Sequence, residues 1–145
     1  MNMNPTLRAI LLAASLCVVA GLAAARSADL IEPARTQIVL NDATKPMTPT
    51  TVRRAIIAGG STHSWKPVAD KPGVLTLEAD SGQHQVIADV LYDAQGFQVK
   101  YKRSANMNHA QSGDKVTVHP KVNKWLADLN ESIRSAAAAA QGQSN

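Results

Sequence analysis

The sequence predicts an α+β domain: a helix, a three- to four-stranded antiparallel meander and a C-terminal helix, with both helices on one face of the sheet. Three observations predict it. Apolar residues recur at helical spacing after Thr48-Pro49, the period then changes to two between Leu75 and Tyr101, and a second helical stripe runs from Val122 to Ile133.

Taken in order, residues 1–25 read as a secretory signal peptide. Met1 to Arg8 is short and basic, Ala9 to Leu22 is apolar, and Ala23-Ala24-Ala25 offers small residues for cleavage. The apolar stretch is shorter than the roughly 20 residues that span a bilayer, so a mature chain without a transmembrane helix is expected. A cut after Ala25 or after Ser27 leaves about 120 residues, the size of one domain. The single cysteine, Cys17, lies in this leader. The mature chain would therefore hold no disulfide and rest on its core. Lipidation of Cys17 is the minor alternative, because Leu16 stands where a lipoprotein signal takes a small residue.

Residues 26–47, with Pro33 and Pro46, read as an extended arm, with Ile38-Val39-Leu40 as its one candidate edge strand. Residues 48–135 form the αβββα domain. Thr48-Pro49 opens its first helix: a hydroxyl able to accept first-turn N–H groups, then a proline where no donor is needed. Val52, Ala55, Ile56 and Gly59 share a face, and Gly59-Gly60 is read as the stop. Pro72-Gly73 and Ser81-Gly82 mark turns in the meander. Leu75, Leu77 and Ala79, then Val86, Ala88, Val90 and Tyr92, then Phe97, Val99 and Tyr101 alternate onto one face. A two-residue turn at Ser81-Gly82 and a four-residue loop at 93–96 would set Leu77 opposite Val86, Val90 opposite Val99 and Asp89 opposite Lys100. Trp65 to Val68 is a candidate fourth strand, at an edge where Pro67 is tolerated.

Ser104 to Thr117 reads as a polar loop with a candidate short strand at Val116 to Val118. Pro120 then opens the second helix, whose stripe is Val122, Trp125, Leu126, Leu129 and Ile133. Residues 136–145, an alanine run and a polar end, are expected to form a flexible tail, although Ala136 to Ala140 could extend the helix before Gln141 to Asn145 fray.

From Val52 to Ile133 the chain resembles a group of small exported or lipoprotein-like bacterial proteins of uncharacterised function. The residues that carry the likeness are Val52-Arg53-Arg54-Ala55-Ile56, Trp65, Pro72-Gly73, Tyr92, Tyr101, Ser104 with Asn106, and His119-Pro120 with Asn123-Lys124-Trp125 and Leu129. The resemblance implies this fold and export, and brings no reaction. His109 and Val122 depart from it, standing where members often carry tyrosine.

The chain has 15 basic and 11 acidic residues, interspersed, a lean too weak to argue for nucleic acid as a partner. No nucleophile elbow, carboxylate pair or phosphate loop is present. His63, His84, His109 and His119 lack a metal-site spacing, so no metal or cofactor is expected. Two candidate surfaces remain. Ser104, Asn106, Asn108, His119 and Asn123 bracket the loop into the last helix. They are read either as a small recognition site or, more simply, as groups that satisfy the loop and cap the helix. On the outer sheet face, Ile87 and Leu91 beside Lys100 and Lys102 are a candidate partner surface, against the simpler reading of a solvated face with cross-strand pairs.

The expectation for function is a non-enzymatic, exported periplasmic or secreted module that binds an envelope protein or another cell-envelope component. The alternative is a small metal-dependent or hydrolytic enzyme using His119 with Ser104 or His109.

Overall fold

In the computed structural model, which describes residues 26–142, Thr48 accepts a hydrogen bond from Thr51 N at 3.1 Å and starts helix α1, Pro49–Ser61, with the proline in its first turn. The helix does not stop at Gly59-Gly60, as the glycine pair suggests. Both glycines lie inside it and are buried, because the second helix crosses there. A Cβ on Gly59 would sit 2.6 Å from the backbone of Ile133, so only glycine permits this approach. The helix ends one residue after the pair, at Ser61. Trp65 N bonds Gly60 O at 3.0 Å and Ser64 N bonds Ser61 O at 3.2 Å. Ser64, at φ 61°, takes the left-handed position that glycine usually fills.

The meander follows as β3 Lys66–Lys71, β4 Val74–Ser81, β5 His84–Tyr92 and β6 Gly96–Ala105. Within the arm, β1 is Ala28–Asp29 and β2 is Thr36–Gln37; after the meander come β7 Ala110–Ser112 and β8 Lys115–Val118. Two antiparallel sheets result, a five-stranded one in the order β2-β6-β5-β4-β3 and a three-stranded one in the order β1-β8-β7. Helix α2, Pro120–Gly142, closes the chain, and the class is α+β.

The inner sheet face is the one the alternation predicts. Leu75, Leu77, Ala79, Val86, Ala88, Val90, Phe97 and Val99 form one cluster with Val52, Ala55 and Ile56 of α1 and Val122, Leu126, Leu129 and Ile133 of α2. Burial of each large side chain contributes about 1.5 to 3 kcal/mol.

Several details differ from the sequence expectation. The β4–β5 turn is Gly82-Gln83, with Gly82 taking the positive φ, so Leu77 faces Ala88 and Ala79 faces Val86. A shift of two in pairing keeps every side chain on its face, and for that reason alternation alone does not exclude it. Val90 opposite Val99 and Asp89 opposite Lys100 are found as expected. The loop expected from Ser104 to Thr117 begins later and contains strand β7, paired with β8. The arm's strand is Thr36–Gln37, not Ile38 to Leu40; Val39 is exposed. The second helix runs to Gly142 through the alanines placed in the tail, because Ala137 is buried against the core. Residues 1–25, with Cys17 and the small residues Ala23 to Ala25, and residues 143–145 lie outside the described segment. Among the described residues, no helix is long and apolar enough to cross a membrane.

The arm is bound along its length. Asn123 Oδ1 accepts from Ile31 N at 2.9 Å while its Nδ2 donates to Asp29 O at 2.8 Å. Glu32 pairs with Lys100 and accepts from Tyr101 N, and Arg35 pairs with Asp93 at 2.7 Å. Farther on, Gln141 Oε1 accepts from Asn41 N at 2.8 Å and its Nε2 donates to Val39 O at 3.0 Å.

Candidate ligand-binding cleft

The polar residues that flank the loop into α2 are engaged in separate contacts. Each makes a bond within the fold. Ser104 Oγ is 2.8 Å from Tyr101 Oη. Asn106 donates to Gln83 O at 2.7 Å, and its carbonyl lies 2.9 Å from His84 Nδ1. Asn108 donates to Arg26 O at 3.1 Å. His119 caps α2, its Nδ1 accepting from Lys121 N at 3.1 Å, and Asn123 holds the arm. Asn106 and Asn108 have φ of 55° and 52°, a conformation asparagine tolerates better than most residues. His109 stacks on Tyr101 with ring centroids 5.9 Å apart. No hydrogen bond joins Ser104 to His119 among the described residues, and no three His, Cys, Asp or Glu side chains there converge as a metal set.

The outer sheet face also departs from expectation. Ile87 is only 2% exposed whereas Leu91 is 40% exposed, so the two do not form an exposed aliphatic pair. A bulge beside Ile87 sets Arg103 opposite it, with Glu78 opposite on the other side. Lys100 is bound to Glu32, and Lys102 to Asp89 at 3.0 Å. Asp89 also accepts from Thr76 at 2.6 Å. The cations placed in this candidate surface are thus engaged in cross-strand and arm contacts, each of modest energy at such exposure.

A cleft that no linear motif marks lies elsewhere. The end of α1 brings His63, Ser64 and Trp65; the β4 end of the hairpin brings Ala79, Asp80 and Ser81; and α2 brings Trp125 and Asp128, which share a face at i, i+3. Together they line a hollow of about 270 Å³. An adjoining hollow of about 550 Å³ shares His63 and Asp128 and continues along α2 past Glu131, Ser132 and Ser135. Both tryptophans of the chain line the smaller hollow.

The chemistry of this cleft contrasts with that of the polar loop. Trp65 is 3% exposed, yet its indole N–H has no acceptor among the described residues and is not enclosed by protein. Ser64 and Ser81 hydroxyls, the His63 ring and the Asp80 carboxylate are exposed and also have no hydrogen-bond or ion-pair partner among the described residues. Asp128 is paired with Lys124 at 2.7 Å. Ser64 adds backbone strain: a left-handed non-glycine residue costs on the order of 1 to 2 kcal/mol. Donors, acceptors and an aromatic wall in a concavity are the ingredients of a recognition site.

Sequence reasoning missed the cleft because its walls come from three separated segments. The available signals were a serine rather than a glycine just after α1 and the Trp125–Asp128 spacing. Compared with protein-family models, with curated proteins and with solved structures, the chain finds no match.

Proposed function

We propose that this chain is a non-enzymatic binding module, exported to the periplasm or beyond, that recognises a cell-envelope component in the cleft at His63 to Trp65. One observation carries the reading. The polar groups of the Ser104 to Asn123 set are occupied in holding the fold, whereas His63, Ser64, Asp80 and Ser81, which line a hollow with Trp65, have no protein partner among the described residues. Exposed groups of this kind are hydrated, and a ligand that replaces that water with matched hydrogen bonds is held at a concave site. The leader read at residues 1–25 supports export.

A photo-activated cross-linker placed at Ser81, on the cleft rim, tests the reading in living cells, with the same group at Lys100 as the control. A discrete mass increment on the intact protein from Ser81 and none from Lys100 is the expected result. Capture from Lys100 alone would return the binding surface to the open sheet face. Edman sequencing of the recovered protein checks export: an N-terminus at Arg26 or Ala28 is expected, and retained Met1 would refute it.

A further inference from the structure

Resting on the cleft reading, a narrower conclusion about its ligand follows from the chemistry of its walls. An anion finds little there, since Lys124 is already paired with Asp128 and only the His63 ring offers a further basic group. A quaternary or primary amine would look for open aromatic faces around it. Trp65 is almost wholly buried, leaving only the partly buried Trp125 as an aromatic surface, and a cage is not formed. An extended peptide would look for a free strand edge. The edge strand that follows, β3, carries Pro67 and a register shift between Pro67 and Ala69, which spoil strand addition.

A hydroxyl-bearing ring meets the remaining features together. Hydroxyls both donate and accept, so one ligand type can donate a hydrogen bond to Asp80 and accept one from the Trp65 N–H while meeting the Ser64 and Ser81 hydroxyls. The apolar face of such a ring can rest on Trp125. The hollow of about 270 Å³ falls just below the roughly 300 to 1,000 Å³ of pockets that enclose a whole drug-sized ligand, and suits a single ring. The adjoining hollow, rimmed by Ser132 and Ser135, offers room for a second unit of the same chain. We infer that the cleft is a saccharide site, in which one sugar ring lies against Trp125 with its hydroxyls bonded to Trp65 Nε1–H and Asp80.

Because both tryptophans line the cleft, two indole N–H signals report on it directly. The experiment is a ¹⁵N-resolved NMR titration of the protein purified as cells deliver it. The probes are cellotriose, maltotriose and chitotriose, with tetramethylammonium and trialanine as comparisons. The expected result is that at least one trisaccharide moves both indole signals, and that Asp80→Asn, an exposed substitution that leaves the fold intact, weakens that binding about ten-fold. Shifts from tetramethylammonium or trialanine with none from the sugars would overturn the saccharide assignment and leave the cleft as a binding site. Silence from both indoles with every probe would overturn both. Sugar-induced shifts unaffected by Asp80→Asn would reduce the effect to nonspecific stacking and overturn the proposed site.

Discussion

Asn123 and Gln141 grip the arm in the same way from opposite ends of α2. Each side-chain amide accepts from one backbone N–H and donates to the carbonyl two residues earlier, Ile31 and Asp29 in one case, Asn41 and Val39 in the other. This is the pattern a neighbouring strand would supply, delivered by side chains. The two residues are separated by about five helical turns and so fall on one line along the helix. The arm, which contributes only two short strands, is thereby held parallel to α2.

Replacing either amide with alanine should release that end of the arm and leave the core intact. Asn123→Ala is expected to speed hydrogen exchange at Ile31, and Gln141→Ala at Asn41, each roughly ten-fold, for a stability loss of about 1 kcal/mol. Exchange monitored by mass spectrometry or NMR checks this; unchanged protection at Asn41 in Gln141→Ala would show that the clasp does not hold the arm.

Gly59 and Gly60 should respond differently to alanine. At Gly59 the new methyl meets the backbone of Ile133 at 2.6 Å, and backbone cannot step aside, so a loss of about 1 to 3 kcal/mol or more is expected. At Gly60 the nearest atoms include the mobile Leu77 Cδ1 at 3.3 Å, and the gain in helix propensity of about 1 kcal/mol offsets much of the crowding. Urea denaturation of the two variants distinguishes them.

The two outer-face aliphatics should separate equally clearly. Ile87→Ser removes a side chain 2% exposed and leaves a hydroxyl in its place, for an expected cost of about 3 kcal/mol. Leu91→Ser, at a site 40% exposed, should stay within about 0.5 kcal/mol. Equal melting temperatures for the pair would contradict the burial of Ile87.

Ser64→Gly should stabilise the protein by about 1 kcal/mol, since glycine adopts φ 61° freely and the side chain makes no bond that would be lost. Thermal unfolding reads this as a rise of a few degrees. No rise would mean that the serine is not strained in the helix-ending position.

Acid should loosen the arm at Arg35. The N–H of Gln95 foremost, with Arg35 and the N–H of Gly96 assisting, holds the Asp93 carboxyl below its ordinary range. A carboxyl lowered on folding stabilises the folded state above its unfolded value. That contribution fades as pH falls from the ordinary aspartate range through the lowered one. Amide exchange at Thr36 and Gln37, corrected for its intrinsic pH dependence, should therefore show protection declining across that acidic interval, and Asp93→Asn should flatten the decline.

The elements set by local periodicity were legible from sequence. Alternation from Leu75 to Tyr101 and the stripe from Val122 to Ile133 place the core because burial on one face leaves few other arrangements. What escaped depended on contacts between distant residues. Gly59-Gly60 reads as a stop locally and is a crossing point only because Ile133 lies against it. Ala136 to Ala140 reads as a tail until Ala137 is seen packed on the core, and Gln141 has no local reason to be ordered. Asn, Ser and His near a loop look like a site in sequence because the same chemistry serves caps and ligands alike. Only the partner atoms separate the two uses, and they give Asn108 to Arg26 and leave the Trp65 N–H without a partner among the described residues.

The clasp of the arm by Gln141 also dictates an order of events. Asn41 and Val39 meet their partner across 100 and 102 residues of chain. A polypeptide emerging amino end first, from a ribosome or through a translocation channel, exposes the arm long before the last turn of α2 exists to receive it. Loop closure over such a span comes late, after the local hairpins and helices have formed. The Val39 to Asn41 end of the arm therefore gains its clasp only after the last turn of α2 has emerged, whereas the pairing of β2 with β6 draws on residues already present.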